Sequence, residues 1–190
     1  MARAHDLIAR GVNKRELSIL IFYENFWPVL IAALISGLGV YLSHSDSYWG
    51  DFGLLCFIFG LLAIPVVFFA NKLGLAFSLP NHLRLTLISI VFWIIASMSF
   101  YFYVYSFGLF TNEPGLLLNS TNYMFSWMLG FLSIFTPQGM GVFEVTYTQL
   151  SDLSVSVQEA IVLVAGFRII VFISEMTVWS LLVLTLRIRS

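Results

Sequence analysis

LNSTNYMFSWMLGFLSIFTPQGMGVFEVTYTQL, residues 118–150, is the stretch that decides how this chain is laid out. Leu118 to Phe135 has about the length of a membrane-crossing helix. It then meets Thr136-Pro137-Gln138-Gly139-Met140-Gly141, a run whose proline and glycines no helix accommodates comfortably. The return limb, Val142 to Leu150, spans only about half the thickness of a bilayer. The stretch therefore reads as a broken or re-entrant hairpin rather than as one more crossing.

The rest of the chain supplies the setting. Hydrophobic residues make up 59% of its 190 residues, charged residues only 10%, and the mean hydropathy is +0.93. A soluble domain carries about 25% charged residues, so this composition describes an integral membrane protein. The fold expected is all-α: one polytopic helical bundle over 1–190, with about four full spans plus the hairpin. The spans fall at about 17–42, 52–70, 83–107 and 160–186, with the hairpin at 118–150 between the last two. Ser43 to Asp51 reads as a polar turn, and Ser78-Leu79-Pro80-Asn81 as a turn in the second connector. The aromatic run Phe100-Tyr101-Phe102-Tyr103 with Tyr105 reads as an interfacial belt, as do Tyr48, Trp49 and Tyr123. Basic residues before a long apolar run mimic a signal peptide, but Leu17 to Leu42 is about twice the length of one and reads as a retained first span.

Charge orients the bundle. Arg3, Arg10, Lys14, Arg15, Lys72, Arg84, Arg187 and Arg189 all sit at ends that an alternating path puts on one face. The opposite loops hold Asp46, Asp51, Glu113, Asp152 and Glu159 and no Lys or Arg. By the positive-inside rule both termini are cytoplasmic, as expected of a multi-pass protein of the cell membrane. Loops 108–118 and 151–158 then lie outside, so the hairpin must enter and leave on the same side. The alternative, a normal crossing with the last span bent or doubled, sends a terminus to the wrong side of the charge rule.

The polar residues inside the apolar zone are few. A broken helix at membrane depth is tolerated only where protein or a water-filled cavity covers it. The amides at Gly139, Gly141 and Val142 would offer an anion such as a lipid phosphate a helix N-terminus, with Gln138 adding amide donors. Glu144, in the first turn of the return limb, either caps that turn or serves as a working carboxylate that binds a cationic headgroup or a proton, or pairs with Arg168. Arg168 and Glu175 lie seven residues apart on nearly one helix face, about 10 Å from each other and roughly 15 Å from the nearer end of their span. Ionisable groups at such depth face the bundle interior and mark pathways or pair. Separate partners are expected for the two, with Glu24 and Glu144 both open to Arg168 on sign alone. Glu24 is nearer the cytoplasmic edge and can snorkel or meet Lys14.

Other chemistry finds little support. His5, His44 and His82 are scattered over different loops, and Cys56 stands alone in an apolar run, so neither metal, cofactor nor disulfide framework is expected. No phosphate-binding Gly-Lys-Ser/Thr loop and no nucleophile–His grouping stands out, and a nucleic-acid partner is not expected. Ala33 and Gly37 fit small-xxx-small helix packing.

The run Thr136-Pro137-Gln138-Gly139-Met140-Gly141-Val142-Phe143-Glu144 resembles the Pro-Gly-Gly-x-Gly-x-x-Glu signature of the lysylphosphatidylglycerol synthase transmembrane region family. Arg168 is similar in placement to an arginine downstream in that family, and Gly11-Val12 leading to Glu24 looks like its pattern at the start of a central span. The resemblance implies an all-helical membrane domain of the flippase type. In the aminoacyl-phosphatidylglycerol synthases that domain moves the modified lipid to the outer leaflet while a soluble domain attaches the amino acid; stand-alone members are linked to envelope lipid and glycan pathways. Gln138 stands where the family usually has the first glycine of its pair. Phe143 stands where a basic residue is common, which weakens the implied preference for an anionic headgroup. Family members usually carry further spans before the point where Met1 begins, so the chain is expected to be a shortened member, a fragment or half of a split system.

The function expected is thus a membrane lipid translocase, or its core, for a phospholipid such as phosphatidylglycerol or a lipid-linked precursor, with transport favoured over catalysis. Its substrate-binding residues are expected to be Pro137, Gln138, Gly139, Gly141, Glu144, Arg168 and Glu175. The alternative is a membrane subunit or enzyme of lipid or glycan modification working with a glycosyltransferase or aminoacyltransferase partner, for which divalent-metal dependence would speak.

Overall fold

A computed structural model describes residues 14–72, 79–108, 110, 115–133 and 139–188. Arg3, Arg10, Glu113, Thr136, Pro137, Gln138 and Arg189 lie outside the described residues. The architecture is all-α: α1 (Lys14–Ser43), α2 (Tyr48–Lys72), α3 (Leu79–Ser106), α4 (Leu116–Leu132), α5 (Val142–Leu150) and α6 (Val157–Ile188), with no strand among the described residues. Four segments are long and apolar enough to cross a membrane: Tyr23–Ser43, Tyr48–Pro65, His82–Ser106 and Val157–Thr185. The hairpin helices α4 and α5 are not among them.

Several boundaries move from those the sequence suggests. The first turn shrinks to residues 44–47 because α2 starts at Tyr48, with Asp51 in its first turn, where a carboxylate suits the helix N-terminus. Helix α3 starts at Leu79, so Pro80 is a first-turn proline rather than part of a connector turn; its missing N–H has no helical partner to lose there. Helix α4 ends at Leu132, short of Phe135.

Contacts fix the order of packing. Helices α1 and α2 run antiparallel and touch backbone to backbone: a Cβ on Gly37 would sit 2.7 Å from Gly53 O. Helix α3 lies parallel to α1, tied by Trp27 Nε1 donating to Thr86 Oγ1 at 3.0 Å and Trp93 Nε1 donating to Pro28 O at 3.0 Å. Helix α4 drops into the valley between α1 and α2, with Gly39 making room for Thr121 and Phe125 meeting Trp49 and Phe52 edge-on. Helix α6 runs antiparallel to α3: Tyr103 donates to Leu163 O at 2.8 Å and Phe100 packs on Phe167.

The loop between α5 and α6 returns to the loop after α3. Phe110 and Leu153 form a backbone bridge, and Ser154 Oγ donates to Gly108 O. Tyr48 and His44 reach the end of α5, through Gln149 and the Leu150 carbonyl. The 44–47 turn, the loop after α3 and the 151–156 loop thus share one end of the bundle, and α4–α5 enters and leaves there.

Part of the expected aromatic belt is core. Phe100 is fully buried and stacked on Tyr123, itself buried, so neither is interfacial. Tyr103 turns inward to α6, while Phe102, Tyr105 and Tyr48 are exposed. The aromatic run winds round the helix, so its members divide between core and lipid by their position in the turn.

Candidate functional site

Two glycines with positive φ, Gly139 and Gly141, shape the return from the hairpin tip into α5. Gly139 has φ +69° and lies so close to α4 that a Cβ would sit 2.2 Å from Gly130 O. Gly141 has φ +88° and forms the N-cap of α5, with open space where a Cβ would go. At Gly139 both conformation and proximity demand glycine; at Gly141 conformation alone does.

From this cap Glu144 turns back. Its Oε2 accepts the Gly141 N–H at 2.7 Å, and its Oε1 receives Arg168 Nη1 at 3.2 Å. The carboxylate is buried, while the arginine side chain is 28% exposed. Arg168 also lies over the Phe143 ring, its Cζ 5.5 Å from the centroid. Phe143 thus offers the guanidinium an aromatic face where a basic residue would repel it. Arg168 is about 16 Å along α6 from Val157, near the middle of a hydrocarbon core of about 30 Å.

The two sequence alternatives for Glu144 turn out to be one arrangement: it caps α5 and pairs with Arg168 at once. Of the two carboxylates open to Arg168, Glu144 takes it, and Glu24 is exposed at the other end of α1. The Gly141 amide, expected to meet an external anion, already donates to the protein's own carboxylate. An incoming phosphate would have to exchange with Glu144 for that amide and for Arg168.

Gly139, Arg168 and Glu175 line one cleft of about 490 Å³, walled by aromatic side chains including Trp127, Phe131 and Phe172. Glu144 and Gly141 stand behind this lining, the former through its bond to Arg168. Pro137 and Gln138 are outside the described residues. Beyond Arg168 the described residues of the hairpin leave α6 uncovered, and Ile169 to Leu182 are all exposed.

Sequence reasoning missed the other half of the hairpin's polar framework. Tyr147 donates to Asn119 Oδ1 at 2.6 Å, and Asn122 Nδ2 donates to Leu150 O at 2.8 Å, all four residues buried. The available signal was two asparagines one turn apart within an apolar helix, facing a short limb of Tyr, Thr and Gln. Buried Ser36, Ser97 and Ser126 are satisfied differently, each donating to a carbonyl one turn back in its own helix. Among the described residues no group of His, Cys, Asp and Glu could hold a metal ion.

Comparison with family models, with curated proteins and with solved structures finds no match to this chain.

Proposed function

We propose that this chain is a membrane lipid translocase, or the core of one, moving a phospholipid or lipid-linked precursor headgroup past the tip of the α4–α5 hairpin, with both termini in the cytoplasm. The observation that carries the reading is the Glu144–Arg168 pair, held near mid-depth at the back of a 490 Å³ cleft. A buried ion pair is a poor device for stability alone, and ionisable groups within membrane segments are functional by default.

The exchange geometry suggests the working step. With Glu144 ionised, Arg168 and the Gly141 N–H are satisfied internally. When Glu144 takes up a proton or swings aside, both become available to a lipid phosphate, and restoring the pair expels it. Glu175, on the same cleft wall, balances the charge or meets a cationic portion of the headgroup. The resemblance of Pro137-Gln138-Gly139-Met140-Gly141 and Glu144 to the lysylphosphatidylglycerol synthase transmembrane region supports the same reading, and phosphatidylglycerol is the first substrate to test.

The experiment is a dithionite-quenching assay on proteoliposomes carrying fluorescent phosphatidylglycerol. The wild-type chain should render both leaflets accessible, and Arg168→Ala should remove that activity. Movement that survives Glu144→Gln combined with Arg168→Ala would show the site to be wrongly assigned. In the second reading, a membrane subunit working with a glycosyltransferase or aminoacyltransferase, the partner would take the place of lipid on the exposed surface of α6 beyond Arg168. A stoichiometric protein partner with no lipid movement would select it.

A further inference from the structure

A second cavity, of about 320 Å³, lies on the opposite flank of α4 from the polar cleft. Val29 and Ala33 of α1, Leu55, Cys56 and Phe59 of α2, and Met128 of α4 line it. Both cavities use the last two turns of α4 as a wall: Trp127 and Phe131 face the cleft, Met128 and Leu132 this groove.

Its origin is the short hairpin. The α1–α2 valley is filled from the turn end inward by successive α4 side chains, Thr121 against Gly39 and then Phe125 against Phe52. Helix α4 stops at Leu132, while α1 and α2 continue. Among the described residues, the valley beyond is left with one apolar wall on each side and only Met128 and Leu132 above it. Water gains nothing in such a place, since an apolar cavity offers it no hydrogen bonds. The two helices forming the walls belong to membrane-crossing segments, so the medium at the mouth is hydrocarbon.

We propose that this groove seats a single lipid acyl chain, held between α1 and α2 beneath the end of α4. Hydrocarbon in the groove and in the bilayer are equally dry, so no hydrophobic gain separates them. What favours the seat is contact: a concave wall on three sides gives a chain more close neighbours than fluid lipid does, and an empty groove would forfeit those contacts outright. The seat does not depend on lipid transport.

The test is photolabelling of the full chain in phosphatidylcholine vesicles that contain an increasing fraction of phosphatidylcholine with a mid-chain diazirine, followed by peptide mapping. The exposed segment of α6 around Ile173 and Trp179 is the internal control for bulk lipid. Labelling of residues 52–59 and 128–132 should saturate at a probe fraction where α6 labelling still rises in proportion. Leu55 is 62% exposed at the mouth, so Leu55→Trp covers the groove without disturbing the core. That variant should lose the saturable labelling and keep the α6 labelling, and Arg168→Ala should keep both. Groove labelling that rises in proportion to the probe, as on α6, would overturn the seat, as would an unlabelled groove in a chain that runs as a dimer. Saturable labelling without lipid movement would leave the seat standing and sink only the translocase reading.

Discussion

The hairpin and the second half of α6 are built inside out relative to each other. From Thr121 to Ser126 every residue of α4 is buried, and Thr121, Asn122 and Ser126 among them are polar. From Ile169 to Leu182 every residue of α6 is exposed, and all are apolar except Glu175 and Ser174, Thr177 and Ser180, whose hydroxyls donate to carbonyls of their own helix. In water this pattern would be a misfolded protein. In a bilayer it is the expected arrangement, because lipid solvates Ile173 or Trp179 as well as protein does, whereas an asparagine amide must find its partner inside. The hairpin and its partner Arg168 are therefore where side-chain substitutions should be felt, and the apolar residues of α6 from Ile169 onward are where they should not.

The largest effect is expected at Gly139. Alanine there meets both a positive φ and the Gly130 carbonyl, and should cost about 3 kcal/mol or more in reversible unfolding in mixed micelles. Gly141→Ala, strained in φ but with open space for its Cβ, should cost about 1 kcal/mol by the same measurement. If the two cost the same, the close approach of hairpin tip to α4 is not what holds the tip. Arg168→Ala strands a buried carboxylate and should cost about 2 kcal/mol, less than a fully buried pair because the arginine is part exposed. Tyr147→Phe leaves Asn119 Oδ1 without its donor and should cost about 1 kcal/mol, readable as a lower unfolding midpoint. At the bottom of the order, Ile173→Ala and Val178→Ala should stay within about 0.5 kcal/mol of wild type. A cost above that would mean that α6 is covered by a partner, and would sharpen the second functional reading.

The same inversion explains what could be read in advance. The spans, the hairpin and its glycine break were legible because length, charge and the Pro/Gly run report on the backbone and on the two aqueous faces. Which face of each helix looks inward was not. In Phe100 to Tyr105 both faces are aromatic, so no amphipathic period marks Phe100 and Tyr103 as core and Phe102 and Tyr105 as lipid-facing. Tyr123 was misplaced for the same reason. Polar residues are the useful guide to the interior of such a bundle, and they divide by strength. Glu144 and Arg168 stood out as charges, and their pairing was one of the open possibilities. Asn119 and Asn122 carry no charge and passed as ordinary residues of an apolar run. The Gly141 amide shows a further limit: a helix N-terminus is legible in sequence, but whether the chain's own carboxylate already occupies it depends on the rotamer of Glu144.

The central claim is that α4 and α5 enter and leave the bilayer on one face, which places Glu144 on a half-spanning limb, facing Arg168 of the crossing helix α6 at the back of a cleft. In a Cys56→Ser background, single cysteines at Ser45, Ser106 and Ser154 can be tested in intact cells with a membrane-impermeant maleimide. The account predicts that all three react from the outside. Labelling of Ser45→Cys and Ser106→Cys from outside, with Ser154→Cys reached only after the membrane is opened, would contradict it and make the hairpin a crossing.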